Sequence, residues 1–584
     1  MIYYVYFAHG SLNLDKYTTF FLFLQKNLQT ILKMLRIYCK NTDSYCEVQE
    51  GSTLLDIVPL FDFDKPYDII GAKVNNVAEG LKFRVFNNRD IEFLDYRSYI
   101  GRSIYSRSLC FLMSKALSDV CPGASVEMHR PLSKGFYCTL HLPNGVVTDT
   151  GLVESIKRRM GEIVAEDIQF RRHEVQTAEA IDMFRKLGRE DKVKLLETCG
   201  DVYVTYYSLE KEVDFFYAAL VPSTGYLKVW DLALYGDGMI LRLPDRHHPE
   251  QLAPFHPQPK TFNALQEMIQ WNHIMGLETV GDVNKACLSG KASDLIQIAE
   301  ALQEKKIVKI AEEIDRRYRL EKDPVRLVLI TGPTSSGKST FCKRLSVQLM
   351  ACGLKPISFS TDDYFVNRLD TPRLPDGSFD FDNFDTVDHD YLQSDVMKLL
   401  EGQCVDVPEY NFVTGLREYN GKKLKIEKDT ILLIEGIHAL NPLLTDMVPE
   451  HAKFRIFINT ITSVSLDAHN CIPTSDNRLL RRIVRDYNKG AFTARQTISA
   501  WPNVRRSETM WIYPYQEIAD VLFNSAYLIE FAVMRTHAEA ILATVPKNCP
   551  EYSEAKRLLK FLHFFVPVSD KELPATSLIR SFIG

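Results

Sequence analysis

The second half of this chain alternates in a way the first half does not. Short apolar runs at Arg326–Ile330, Ile357–Ser360, Thr430–Ile434, Phe454–Ile458 and Val521–Phe523 are separated by longer segments with helical spacing. Brief runs of this kind, closed by polar or glycine residues, predict strands buried on both faces. Strands alternating with helices predict an α/β fold built on a doubly wound parallel sheet. Its ligand crevice lies at the carboxyl ends of the strands. This segment is expected to span 323–545, followed by a C-terminal tail over 546–584.

The first half reads as separate smaller units. Over 34–98, Leu35 to Cys39 alternates as a strand, and Gly51–Ile57 opens a short helix capped by Ser52 or Thr53. Further alternation falls at Ile69–Val74 and Leu81–Val85. Over 99–245 a second α+β unit is expected: a helix from about Ser106 to Val120 that stops before Pro122-Gly123, strands near Gly135–Leu142, and a helix near Val153–Val164. Over 246–322 a polar segment from Arg246 to Pro259 leads to helices near Thr261–Met275 and Lys291–Arg319. In the last of these, Leu295, Ile298, Ala299, Leu302, Val308 and Ile314 recur at helical spacing, so it is read as a connector packing both halves. His247-His248 reads as solvated linker, because no second cluster has ligand spacing.

Composition narrows the class. The 584 residues carry 70 basic and 75 acidic side chains, a net charge of −5, which leaves no global footprint for nucleic acid. The 12 cysteines are scattered without a C-x-x-C pair, as expected of buried apolar residues in a reducing, cytoplasmic setting. Residues 1–33 hold the apolar run Phe20–Leu24, too short to span a membrane and without a basic region before it. They are read as an upstream extension outside the fold, and no membrane partner is expected.

The strand at 326–330 runs directly into Gly332-Pro333-Thr334-Ser335-Ser336-Gly337-Lys338-Ser339-Thr340. This is the pattern G-x-x-x-x-G-K-[ST] in the strand–loop–helix context it requires. Backbone N–H groups of such a loop turn inward around a phosphate, and the helix after it directs its positive end at the same anion. ATP is therefore expected over Gly332–Thr340, with Lys338 on its outer phosphates and the Ser339 hydroxyl on Mg²⁺. The run Ile431–Ile434 closes on Glu435, a second Mg²⁺ ligand. Phosphoryl transfer to a hydroxyl also needs a group that accepts the proton. Asp362 is the candidate base, with Asp363 as the alternative; as a pair they are also suited to capping a helix. Arg478, Arg481, Arg482 and Arg485 share one helical face. They are read as a lid over the triphosphate, with Arg481 and Arg485 on ATP and Arg482 stabilising the transition state; the alternative is a face neutralised by Asp476 and Asp486.

Three resemblances follow from these motifs. The Gly51–Ile57 helix entry resembles the TGS domain, a ubiquitin-like β-grasp module. Gly135–Cys138, Lys186–Leu196 and Gly236-Asp237-Gly238 resemble the second domain of threonyl- and alanyl-tRNA synthetases. That resemblance implies a tRNA or nucleotide ligand for the front half, or a structural or regulatory role. It also implies metal-binding histidines, but Arg107 and Phe111 stand in their positions and Val221–Gly225 replaces the later ligands, so editing hydrolysis is expected to be lost. Residues 324–530 resemble the uridine kinase/phosphoribulokinase family, through Gly332–Thr340, Thr361–Phe365, Phe379–Asp385, Pro408–Phe412, Ile434–Ile437 and Arg478–Asp486 in the family order. This resemblance implies an ATP-dependent kinase acting on the 5′-hydroxyl of a nucleoside, with Asp362 as base. It places Asp382 on the ribose, Tyr410 and Phe412 on the nucleobase, with core packing as the alternative for the two rings, and Arg417, matching a family basic residue, on the substrate. The family's histidine three residues after Phe412 is Gly415 here, which leaves the nucleoside open. A sugar-phosphate kinase and a nucleotide-regulated RNA-binding protein remain the alternatives.

Overall fold

The computed structural model describes residues 33–584 except 64–66, 375–376, 428 and 463. The expectation for the N-terminal extension therefore lies almost wholly outside the described residues. The chain divides into two compact units. One comprises the described residues up to Tyr105 together with Ala218–Pro222, and the other Ser106–Tyr217 and Ser223–Gly584.

The first unit is a five-stranded sheet with Met34–Cys39 near its centre. This strand pairs antiparallel with Ser44–Gln49 and parallel with Arg89–Leu94, the β-grasp arrangement. Alternation buries Leu35, Ile37 and Cys39, and Leu54, Ile57, Ile91 and Phe93 of the same unit are buried as well. Thr53, not Ser52, caps the helix Leu54–Ile57: its hydroxyl accepts from Asp56 N while the Asp56 carboxylate accepts from Thr53 N. The expected strand at Leu81–Val85 makes only a single bridge, Thr53 to Arg84, and the outer strands are Gly71–Val74 and Val77–Glu79.

In the second unit, a four-stranded antiparallel sheet and a three-stranded one precede a five-stranded parallel sheet. The parallel sheet runs, in spatial order, Lys355–Ser360, Thr430–Glu435, Leu327–Thr331, Lys453–Asn459 and Val521–Asn524. All five expected strands are present. Their side chains alternate between two cores, which is why the runs are apolar throughout. Val328, Ile330, Ile431 and Leu433 pack with Phe341, Leu345 and Leu349. Leu327, Leu329, Leu432 and Ile434 pack with Phe359, Tyr364, Val396 and Leu399.

The connector helix, Ala292–Tyr318, touches two cores as expected and buries Leu295, Ala299 and Ile314 of the expected face, but the rest of that face is shifted. Ile296, Gln303, Ile307 and Ile310 are buried, whereas Ile298 is exposed and Leu302 and Val308 are half-buried. Polar contacts set this phase: Arg344 of the helix Lys338–Ala351 bonds Glu300 and Glu304 (3.2 Å each). A buried charge cluster joins the front module to the parallel-sheet module. Lys192, from the Lys186–Leu196 segment, lies 2.9 Å from Asp214, 3.3 Å from Asp467 and 3.5 Å from Asp191. Among the described residues no helix is long and apolar enough to cross a membrane.

Residues 546–584 are not a tail. Their helix Tyr552–Leu562 and the segment to Ile583 bury Leu558, Phe561, Leu562, Phe565, Ile579 and Phe582 in the same core as Leu480, Ile483 and Val533. The apolar positions are too many to leave in water, and the arginine-bearing helix Thr474–Asn488 and the helix Glu530–Ala543 provide their cover. Phe561→Ala is expected to destabilise this unit by about 3–5 kcal/mol, read as a lowered denaturation midpoint; a shift under about 1 kcal/mol would return the segment to the status of a tail.

Candidate active site

Strand register brings the polar groups together. Glu435 is the partner of Ile330 on one side and of Ser360 on the other. The chain therefore leaves three neighbouring strands side by side as Gly332, Gly436 and Thr361. The approach is close: a Cβ on Gly436 would sit 1.8 Å from Thr361 Oγ1, and one on Gly332 would sit 2.2 Å from Ile458 O. Only glycine fits either place. Thr331 Oγ1 donates towards Gly436 O and Ile437 O (2.8 and 2.7 Å), tying the loop strand to the Glu435 turn.

The loop itself has the expected form. Gly337 has φ +91°, the left-handed conformation that glycine adopts without strain, and it starts the helix Lys338–Ala351. The Lys338 ammonium folds back onto Gly332 O (3.0 Å) and Pro333 O (3.4 Å). Burial pulls its proton affinity down, while Glu435 and Asp362 oppose that shift. Ser339 Oγ donates to Glu435 Oε1 at 2.7 Å, so the two expected metal ligands meet across 96 residues of sequence. The Ser335 and Ser336 hydroxyls are buried without a hydrogen-bond partner among the described residues.

Asp362 and Asp363 divide their roles. Asp363 caps the short turn Thr361–Tyr364: its carboxylate accepts from Ser360 N (3.2 Å), and Ser360 Oγ accepts from Asp362 N (3.2 Å). Among the described residues, the Asp362 carboxylate takes no cap role and has Thr361 Oγ1, at 3.5 Å, as its hydrogen-bond contact. Burial, then repulsion from Glu435, raises its pKa to about 7, with Asp363 and Asp382 adding to the rise and Lys338 opposing it. Burial likewise raises Asp382 to about 6, against the pull of Arg482. Lys338, Glu435, Asp362, Asp382 and Arg482 thus form one interacting group.

The arginine face divides. Arg482 and Arg485 are half-buried and bond Asp486 (3.2 and 2.9 Å), and Arg485 acts on Lys338. Arg478 and Arg481 are fully buried and belong to no lid. Arg478 donates to Thr334 O (3.1 Å) and to the Glu508 carboxylate (2.8 Å). Arg481 donates to Ser335 O (3.3 Å), Ser525 O (2.9 Å) and the Glu530 carboxylate (2.7 Å). Arg481, expected on ATP, therefore grips the loop from behind. Glu508 and Glu530 are not foreseen from the sequence. Each is an acid in a helix, 30 and 49 residues from its partner, and only the fold pairs them.

Two further assignments change. Arg417, expected on the substrate, clamps the Asp362 turn instead: it donates to Phe365 O (3.2 Å) and Tyr364 O (3.1 Å) and pairs with Asp388 (3.0 Å). Tyr410 is buried in the core against Phe365 (5.5 Å), whereas Phe412 is 59% exposed. In the front module, Phe111 is buried against Phe170 (5.8 Å) and Phe216 (5.6 Å), so apolar packing fills the position where the synthetase resemblance has a histidine.

Residues 327–529 match the model of the phosphoribulokinase/uridine kinase family. A uridine kinase from Mycoplasma genitalium is 30% identical over 164 residues, covering 28% of this chain and 68% of its own. A threonine–tRNA ligase from Parabacteroides distasonis is 25% identical over 186 residues (32% of this chain, 28% of its own). One from Natranaerobius thermophilus is 28% identical over 202 residues (34% and 31%). The chain thus spans less than a third of the length of the ligases it matches.

Glu530→Gln is expected to leave Arg481 buried without a countercharge and to cost about 3–5 kcal/mol, read by thermal unfolding. A neutral effect would mean that the loop does not need the pair.

Proposed function

The chain belongs to the phosphoribulokinase/uridine kinase family, and on that premise we propose that it transfers the γ-phosphoryl group of ATP to the 5′-hydroxyl of a nucleoside. The observation that carries this reading is the Asp362 carboxylate: it has no cap to make and lies in one electrostatic group with Lys338 and Glu435. Lys338 needs only to leave two carbonyls of its own loop to meet the outer phosphates. The Ser335 and Ser336 hydroxyls, without partners among the described residues, suit phosphate oxygens. Ser339 and Glu435 offer two oxygen donors, which fits Mg²⁺, a cation that takes few protein ligands and completes its shell with phosphate and water. When bound, Mg²⁺ neutralises charge on the phosphate oxygens. Asp362 accepts the proton of the attacking hydroxyl. Its raised pKa makes it a stronger base than an ordinary carboxylate and still leaves it largely ionised above neutrality. Asp382 accepts hydrogen bonds from the ribose hydroxyls, and half-buried Arg482 faces the developing charge.

The exposed ring of Phe412 supports a planar acceptor. For the front modules we infer a structural or regulatory part, with tRNA as the ligand to test by filter binding in the presence and absence of ATP. The buried Phe111 cluster argues against editing hydrolysis.

Lys338→Ala and Asp362→Asn are each expected to abolish turnover in a phosphoryl-transfer assay across the common nucleosides. Because the base acts only when deprotonated, kcat/KM is expected to fall as pH drops through about 7, where Asp362 takes up its proton, rather than near 4. Wild-type rates in Asp362→Asn, or an acid limb near 4, would remove Asp362 from the role. Asp382→Ala is expected to raise the acceptor KM about tenfold or more, as loss of a charged hydrogen bond does, with a smaller effect on kcat.

A further inference from the structure

Gly415 has φ +73°, and a Cβ there would lie 2.8 Å from Arg368 Cβ and Nε and 2.9 Å from its Cζ. The space that a side chain at 415 would take is therefore held by Arg368, which comes from the segment that begins at Asp362. Two contacts fix the exchange. Arg368 N donates to Gly415 O at 2.8 Å, and the guanidinium donates to Phe412 O. Around it stand three rings: Phe365 meets Tyr410 at 5.5 Å and Phe412 at 6.1 Å, and Tyr410 meets Phe412 at 5.0 Å. Phe412 is exposed and Arg368 half-buried, so a planar surface and a cationic fork lie together at one rim. Among the described residues no carboxylate pairs with Arg368, and most of its N–H groups remain unused.

We propose that Arg368 is the specificity-determining residue of the acceptor site, and that it confines the acceptor to molecules presenting hydrogen-bond acceptors alone at this edge. This deepens the kinase reading above and rests on it. A neutral imidazole offers one donor and one acceptor; a guanidinium offers five donors, no acceptor and a fixed positive charge. Two neighbouring acceptors satisfy the fork: the O6 and N7 atoms of a 6-oxopurine, or two oxygens of a phosphate ester. Adenine sets an amino group beside N7, so a donor would face a donor.

The test is kcat/KM for inosine, guanosine, adenosine, uridine and ribulose 5-phosphate with the full chain, its Arg368→Gln and Arg368→Lys variants, and the double variant Arg368→Ala/Gly415→His. Thermal melting confirms that each variant folds. Inosine and guanosine are expected to exceed adenosine at least tenfold. Both single variants are expected to lose that margin with the KM for ATP unchanged, Arg368→Lys because it keeps charge without the fork. The double variant is expected to gain uridine relative to inosine. If ribulose 5-phosphate is instead the preferred acceptor and Arg368→Gln loses it tenfold or more, the role of Arg368 stands and the nucleoside reading fails. If a nucleoside is turned over with a selectivity that no Arg368 variant moves, the nucleoside reading stands and this proposal is overturned. Turnover of no acceptor in the panel overturns both.

Discussion

The phosphate loop keeps its shape because two buried guanidinium–carboxylate pairs stand behind it. A loop that turns its N–H groups inward must turn carbonyls outward, and those carbonyls need donors where water is absent. Arg478 and Arg481 supply them to Thr334 and Ser335. Two cations in a dry interior would be intolerable alone, so Glu508 and Glu530 neutralise them. Apolar rings complete the arrangement, Trp501 beside Arg478 and Phe582 beside Arg481 (5.3 and 4.9 Å). Phe582 lies almost at the end of the chain. The C-terminal segment thus belongs to the support of the loop, although it touches no part of the expected chemistry.

The acids of the crevice depend on strand register in the same way. Glu435 reaches Ser339, and Asp362 follows the neighbouring strand, because Gly436 allows the Glu435 strand end to crowd against Thr361. Crowding excludes water, and exclusion of water together with mutual repulsion raises the Asp362 pKa. The cap made by Asp363 frees its neighbour for that role. A local backbone need thus decides which of two adjacent aspartates is available for proton transfer.

The front half couples to the parallel sheet through buried charge as well. Lys192 sits among Asp191, Asp214 and Asp467, groups drawn from three separate segments of the second compact unit. The segment that resembles a synthetase motif thus supplies a buried cation that joins modules.

The sequence by itself determined the parallel sheet, the phosphate loop, the β-grasp strand and the order of the acidic motifs. Each is written in contiguous residues: period-two or unbroken apolar runs, glycines at fixed offsets, an acid at the end of a strand. It left Asp362 and Asp363 equivalent, and it set four arginines on one face without saying which way that face points. The family resemblance gave Arg417 to a ligand and left Tyr410 between a ligand and the core. Only the tertiary structure turned Arg478 and Arg481 inward, Arg417 onto the backbone of Tyr364 and Phe365, Tyr410 into the core, and Arg368 into the space left by Gly415. The physical reason is common to all of them. Helical and strand periods report which residues share a surface, but a charge or a ring finds its partner across tens to hundreds of residues, where burial and the backbone's need for donors choose the pairing.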